Sequence, residues 1–322
     1  MPEQFRVAII GASGYTGGEL MRLVYLHPHL QLAYCYSETY AGQSIAAVHP
    51  DLFFLQDMQF TDTFSTEVDA LFLAVSHGAA RPFLEKHPIP QDLPVIDLSR
   101  DFRLERNQFT YGLPEAFVEQ IQTAHRVANP GCFATAIQLA LLPLAAEGLL
   151  TSPIHIHAIT GSTGAGKSLK ETTHFTWRHG NVSVYAPFNH PHLPEIKATL
   201  QTLQSPPLPE INFIPIRGNF TRGIYATLYL EAPASIELIQ ALYYQFYQNK
   251  PFVFLSDTIP SIKEVVNTNY ALLHLHQVRN KLMIISVIDN LLKGASGQAI
   301  QNLNLMLNLP ETTGLMLKSS AY

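Results

Sequence analysis

The sequence predicts an α/β protein in which a doubly wound parallel sheet is followed by an α+β region. Three observations predict it. The run FRVAII (5–10) is continuously apolar, as a strand buried on both faces requires, and leads through a Gly-rich turn into a helix-periodic stretch. Strand-like and helix-like segments then alternate, the pattern of right-handed βαβ units. Beyond about residue 150 the strand-like runs lengthen and crowd together, as in a mostly antiparallel sheet with helices on one face. With 322 residues, 47% hydrophobic and 14% charged, the chain can fill two cores.

The elements follow in order. After FRVAII, the stretch GELMRLVYLH carries apolar residues at helical spacing, and LQLAYCYS reads as a second strand. DALFLAVS (69–76) and PVIDLS (94–99) are two further strands, with the helical AARPFLEKH between them. Later strands are IHIHAIT, INFIPI, GIYATLYLEA, YALLHLHQV and KLMIISVID, with SIELIQALYYQFYQ as a helix among them. GASGQAIQNLNLMLNL closes the chain with helical spacing, and SPPLPE (205–210) is a loop.

Composition removes several classes of function. Net charge is −5 and no basic run occurs, so there is no footprint for nucleic acid. The two cysteines, Cys35 and Cys132, exclude a disulfide scaffold and any CxxC metal site. No apolar run approaches the ~18 residues that span a bilayer, and the one at the start is too short for a signal peptide. A reduced cytoplasmic protein is expected, with any anionic substrate held by a few local Arg or Lys residues.

GASGYTG places Gly11, Gly14 and Gly17, with Ser13, Tyr15 and Thr16 between them, directly between a strand and a helix. Glycines there permit a tight turn and close approach of a pyrophosphate, which the free N–H groups of the helix start then receive. The first region therefore reads as a Rossmann-type NAD(P)-binding domain. Ser37 and Glu38 stand at the tip of the second strand, where a carboxylate holds a ribose hydroxyl and repels a 2′-phosphate, so Glu38 favours NAD over NADP. Ser76 and His77 end the third strand, at the edge where doubly wound folds place ligands.

Cys132 follows the turn Pro130–Gly131 and opens a long apolar helix. A thiol at a helix start feels the dipole, which favours thiolate, so Cys132 is a candidate nucleophile; Cys35, inside a strand, reads as a core residue. A nucleophile needs a base, and the candidates are His190 and His192 in APFNHPHLPEI. Two residues apart, they would face the same way on an extended segment. As a metal site the pair lacks a third ligand of suitable spacing, Glu195 being weak support.

The ordered set GASGYTGGEL, IDLSRDFRL, YGLPE, NPGC, GSTGAG, HPHLPEI, TRGIYAT and DNLLKGASGQAIQNLN resembles the N-acetyl-γ-glutamyl-phosphate reductase family of arginine biosynthesis, relatives of aspartate-semialdehyde dehydrogenase. The resemblance runs from Gly11 to Asn304. It implies a nicotinamide-dependent reduction of an acyl phosphate, NADP(H) being the family default, with Cys132 as nucleophile and His190 or His192 as base. The family's NADP-reading Ser-Arg pair is Ser37-Glu38 here, so NAD(H) stays open. It also implies domains 1–133 with 297–322, binding the dinucleotide, and 134–296, carrying catalysis and oligomerisation.

Asn129 and the amides at the Cys132 helix are the expected oxyanion donors. Arg103, Arg217 and Arg222, with Lys167 behind them, are candidates for phosphate and carboxylate. Ser162, Gly164, Asn290 and Gly297 are carried over as cofactor-binding residues. The partner is a small acyl-phosphate substrate, and a homo-oligomer, dimer or tetramer, is expected. NPGCFAT and HFTWRHGNVSVY resemble the branch that handles N-succinylated intermediates, so the acyl group stays open between acetyl and succinyl; a shorter aspartate-type substrate is the remaining alternative.

GSTGAGKS (161–168) also matches a P-loop. A triphosphatase would need an unbroken helix after it, which the paired threonines and the His-Gly-Asn break in LKETTHFTWRHGN argue against.

Overall fold

The computed structural model describes residues 4–321. They form two compact units, one running up to Pro130 and resuming over Ala295–Met316, the other comprising Gly131–Gly294 and the segment from Leu317.

The first unit holds a seven-stranded parallel sheet. Its strands are β1 (Phe5–Ile10), β2 (Leu30–Tyr36), β3 (Phe60–Thr61), β4 (Ala70–Leu73), β5 (Val95–Asp97), β6 (Thr110–Tyr111) and β7 (Arg126–Ala128), in the order β3-β2-β1-β4-β5-β7-β6. The central β4 is buried along its whole length, as layers on both faces demand. The order reverses between β1 and β4, which opens the switch-point crevice at their C-terminal ends. The helices are α1 (Tyr15–Leu26), α2 (Ile45–Val48), α3 (Ala80–Lys86) and α4 (Pro114–Gln122). Leu20, Met21, Leu23 and Val24 form the buried stripe of α1, while the half-buried Glu19 and Arg22 pair at 2.7 Å beside it.

The second unit is built on a mixed sheet of β8 (Ile154–Thr160), β9 (Ser183–Val184), β10 (Ile211–Arg217), β11 (Ile224–Glu231), β12 (Val253–Leu255), β13 (Ala271–Val278) and β14 (Lys281–Ile288), in the order β12-β13-β14-β11-β8-β10-β9. Most neighbours are antiparallel, as expected; β8/β10 and β12/β13 are parallel pairs joined by crossovers, the first carrying helices and the second only the 3-10 turn Ile262–Glu264. Its helices are α5 (Cys132–Ala146), α6 (Phe175–Arg178), α7 (Leu193–Leu203) and α8 (Ile236–Tyr247), after which α9 (Gly297–Met306) returns to the first unit.

Helix α5 is predominantly apolar and buried from Phe133 to Ala145, packed on β11 and β14 and against α7 and α8. Pro143 lies inside it and has no N–H for the carbonyl of Leu139 four residues back. The Tyr247 hydroxyl of α8 donates to that carbonyl instead, and Tyr243 donates to Ala140. The start of α5, where Cys132 sits, is thus anchored by a rigid core element.

Candidate active site

The Gly-rich turn of the first unit meets the requirements of a pyrophosphate cradle. Gly11 has φ +79°, and a Cβ there would stand 2.8 Å from the carbonyl of Ala74, past the end of β4. A Cβ on Gly17 would come 2.4 Å from the Ala12 carbonyl, so α1 packs backbone against backbone on the turn. Beside Gly14, by contrast, there is open space, only the Gly11 carbonyl lying near at 3.8 Å. Gly14 caps α1 without a side-chain hydrogen bond, and the first turn holds no acid, so its positive end is left for an anion. Tyr15 is exposed there, and the carbonyl of Thr16 accepts a hydrogen bond of 2.9 Å from Ser296, which ties α1 to the residue preceding Gly297. His49, which the sequence reading did not single out, donates from Nε2 to the Ala12 carbonyl at 3.0 Å and braces the turn.

At the tip of β2, Ser37 is buried with its hydroxyl 3.4 Å from that of Ser13. Glu38 is exposed; its Oε1 accepts the Tyr36 hydroxyl at 2.9 Å and lies 3.5 Å from Lys86 Nζ. The Tyr36 hydroxyl, then the Lys86 charge, hold this carboxyl below the usual range. Ser76 and His77 stand exposed just beyond β4. Two candidate polar groups are spent inside this unit. Arg103 is buried, giving Nε to the Asn129 carbonyl at 2.9 Å and a terminal nitrogen to that of Leu98 at 3.1 Å. The Asn129 side chain donates to the Ala295 carbonyl and accepts from Asn302, both at 3.0 Å.

In the second unit the structure gathers Cys132, His190, His192, Glu195, Tyr185 and Arg217. Cys132 is the first residue of α5, after an extended Gly131 that makes no side-chain cap. The buried Glu195 carboxylate accepts the Gly131 amide at 3.2 Å through Oε2, and its Oε1 lies 4.0 Å from His192 Nε2. Phe133, next to the cysteine, packs edge-on against His190 and His192 at centroid distances of 5.4 and 6.4 Å.

The two histidines do not share one face of an extended segment. His190 Nδ1 accepts the His192 amide at 3.2 Å, His192 has helical dihedrals at the cap of α7, and the rings meet edge to face at 4.6 Å. That turn is what proline-containing HPHLP closes before a helix, and period-two reasoning does not apply to it. Burial, then the nearby Arg217 charge, pushes His190 down to about 4. With Nδ1 accepting, the neutral ring carries its proton on Nε2. The Arg217 guanidinium lies 4.6 Å over the Tyr185 ring, and buried Arg178 holds the Arg217 carbonyl at 2.8 Å.

The glycine of the DNLLKG segment proves as telling as the cysteine. A Cβ on Gly294 would lie 2.8 Å from the Cys132 Cβ, so the backbone at 294 is a wall of the cysteine's niche. Spacing carries no signal of this contact. The buried Lys293 beside it has its Nζ 5.7 Å from the Phe252 ring centre.

GSTGAGKS is not a P-loop in space. Ser162–Ala165 is a single 3-10 turn, Gly166 has φ +77°, and the next α-helix is only Phe175–Arg178. The Ser162 amide donates to the Phe220 carbonyl, and Gly164 lies against the Thr160 side chain. Asn290 holds the loop, giving Nδ2 to Thr163 at 3.0 Å and accepting the Gly223 amide at 2.7 Å. Arg222 is drawn into an ion pair of 2.8 Å with the buried Asp289.

Comparison with known proteins agrees with this architecture. Residues 6–124 match the model described as semialdehyde dehydrogenase, NAD binding domain, and 132–290 that described as semialdehyde dehydrogenase, dimerisation domain. The cofactor class is therefore a nicotinamide dinucleotide. Among solved structures, aspartate semialdehyde dehydrogenase II of Vibrio cholerae complexed with ASA superposes with TM-score 0.72 at 17% identity, covering 95% of this chain and 99% of its own. The Candida albicans aspartate semialdehyde dehydrogenase with NADP gives 0.74 at 13%, with the same coverage. Among the described residues no helix is long and apolar enough to cross a membrane. Proteins named N-acetyl-gamma-glutamyl-phosphate reductase are 48% identical in Parabacteroides distasonis over 98% of this chain and 99% of theirs, and 49% in Christiangramia forsetii over 98% of each. The chain belongs to the N-acetyl-gamma-glutamyl-phosphate reductase family of semialdehyde dehydrogenases, and is an oxidoreductase.

Proposed function

We propose that the chain reduces N-acetyl-γ-glutamyl phosphate to N-acetylglutamate 5-semialdehyde and phosphate through a thioester on Cys132. The observation that carries this is the placing of Cys132 at the uncapped start of α5, with Glu195 bound to the preceding amide and the HPH turn packed on the following residue. The thiolate attacks the acyl carbon, the amides of the first turn of α5 stabilise the oxyanion, and phosphate leaves. His192 takes the thiol proton and later gives it to the thiohemiacetal oxygen, with the Glu195 carboxylate beside its ring. His190 keeps a neutral N–H and serves as a donor, since its Nδ1 is already engaged. Arg217 is the cation for the substrate's anionic groups.

The dinucleotide would be held by the turn Gly11–Gly17 with Ser37, Glu38, Ser76 and His77. When bound in reduced form it supplies the hydride. NADPH is the default that the family resemblance implies; the engaged carboxylate of Glu38 is the observation that favours NADH. The HFTWRHGNVSVY segment keeps an N-succinyl substrate as the second reading. Pairing of two copies through the second unit, whose sheet exposes Tyr229, is the proposed assembly.

The test is the reverse reaction. N-acetylglutamate semialdehyde, phosphate and oxidised cofactor should yield reduced nicotinamide, and the N-succinyl and aspartate semialdehydes are run beside it. Full activity in Cys132→Ala would end the reading.

A further inference from the structure

The turn after β4 is latched by a carboxylate that arrives 23 residues later in the chain. Asp101 Oδ1 accepts the Gly78 amide at 2.7 Å, and Oδ2 accepts those of Ala80 at 3.0 Å and Arg81 at 3.4 Å. These are the amides at the start of α3, which has no side-chain cap of its own at Ala79. Asp101 is itself fixed. Its amide donates to the Ser99 hydroxyl at 3.0 Å, which donates to Asp97 Oδ2 at 2.8 Å. Asp97 and Ser99 are fully buried, and Asp97 ends β5, the strand paired with β4. An unbroken chain of hydrogen bonds thus runs from the sheet to the Ser76–Gly78 turn. Only an acceptor-only group meets three amides at once, and a carboxylate near a helix start is also favoured by the dipole.

We infer that Asp101 is a positioning residue for the dinucleotide: it sets the Ser76–His77 turn so that these side chains face the cofactor. This rests on the reading that the turn lines the cofactor site. Asp101 acts through the turn, since three of the roughly four acceptor sites of its carboxylate are given to Gly78, Ala80 and Arg81. The amides it occupies are closed to the pyrophosphate, which leaves the uncapped start of α1 as the anion seat.

The test is equilibrium titration of the full chain with NADH and with NADPH, followed by nicotinamide fluorescence without acyl phosphate, beside steady-state KM values. Asp101→Ala should raise the dinucleotide Kd about tenfold or more, and leave KM for the acyl phosphate within about twofold. Asp101→Asn, which keeps one acceptor, should fall between. If Asp101→Ala does not fold, Ser99→Ala loosens the same chain one bond away and should raise Kd by about twofold to threefold. Unchanged Kd with a lowered Tm, or Kd and substrate KM rising together, overturns the inference. A wild-type chain that binds neither dinucleotide overturns the underlying reading along with it.

Discussion

Glu195 holds the amide of Gly131, the residue before Cys132, at 3.2 Å, and its second oxygen lies 4.0 Å from His192. One carboxylate thus fixes the backbone that presents the sulfur and sits beside the proposed base. Glu195→Gln keeps an acceptor for Gly131 but loses the charge. We expect kcat to fall by about 10²-fold with Tm nearly unchanged, read from steady-state kinetics and calorimetry on the same sample. Wild-type kcat in that variant would remove Glu195 from the mechanism.

The two cysteines should react at very different rates. Cys35 is sealed in β2, and burial pushes its thiol up to about 12. Cys132 is partly accessible at a helix start. Under limiting iodoacetamide, peptide mapping should find the label on Cys132, with activity lost in step. Equal labelling of both would contradict a nucleophilic role.

Gly294 leaves no room for a side chain against Cys132, since a Cβ would come 2.8 Å from the cysteine Cβ. Gly294→Ala should displace the sulfur and cost on the order of 10² in kcat while cofactor binding persists. Retained turnover would show that the niche is more yielding than its geometry suggests.

The exposed Glu38 discriminates between dinucleotides if it reads the ribose. Glu38→Arg should raise kcat/KM with NADPH relative to NADH, and Lys86→Ala, which removes the carboxylate's cationic neighbour but leaves the Tyr36 hydroxyl on it, should not. A ratio of the two cofactors that stays fixed in Glu38→Arg would falsify the assignment.

His190 makes stability depend on pH. Its folded pKa of about 4 lies below the ordinary 6.5, through burial first and Arg217 second. Between these values the unfolded chain binds a proton that the fold refuses, so stability rises with pH through this window and is complete above it. The gain, discounted for partial solvent access, is on the order of 1–2 kcal/mol. Urea midpoints from pH 4 to 7 should fall more steeply toward low pH in wild type than in His190→Phe, which has no proton to take up there; parallel curves would locate the dependence elsewhere.

The long elements were legible in the residues alone. The apolar FRVAII and the GASGYTG that follows it announce a strand, a pyrophosphate turn and a helix, because local sterics and period decide them. The ordered motifs also identified the family and marked Cys132. Some short strands, such as Arg126–Ala128 just ahead of the cysteine turn, carry too short a pattern to read, whereas the three-residue Val95–Asp97 was legible within the apolar PVIDLS. Which arginines are spent within the fold, as Arg222 is on Asp289, depends on neighbours 67 residues away. The surroundings of Cys132, with Glu195 on the preceding amide and Gly294 against its Cβ, exist only once the chain has folded. Periodicity reports how a segment sits on its own axis, whereas contact between distant segments is decided by packing.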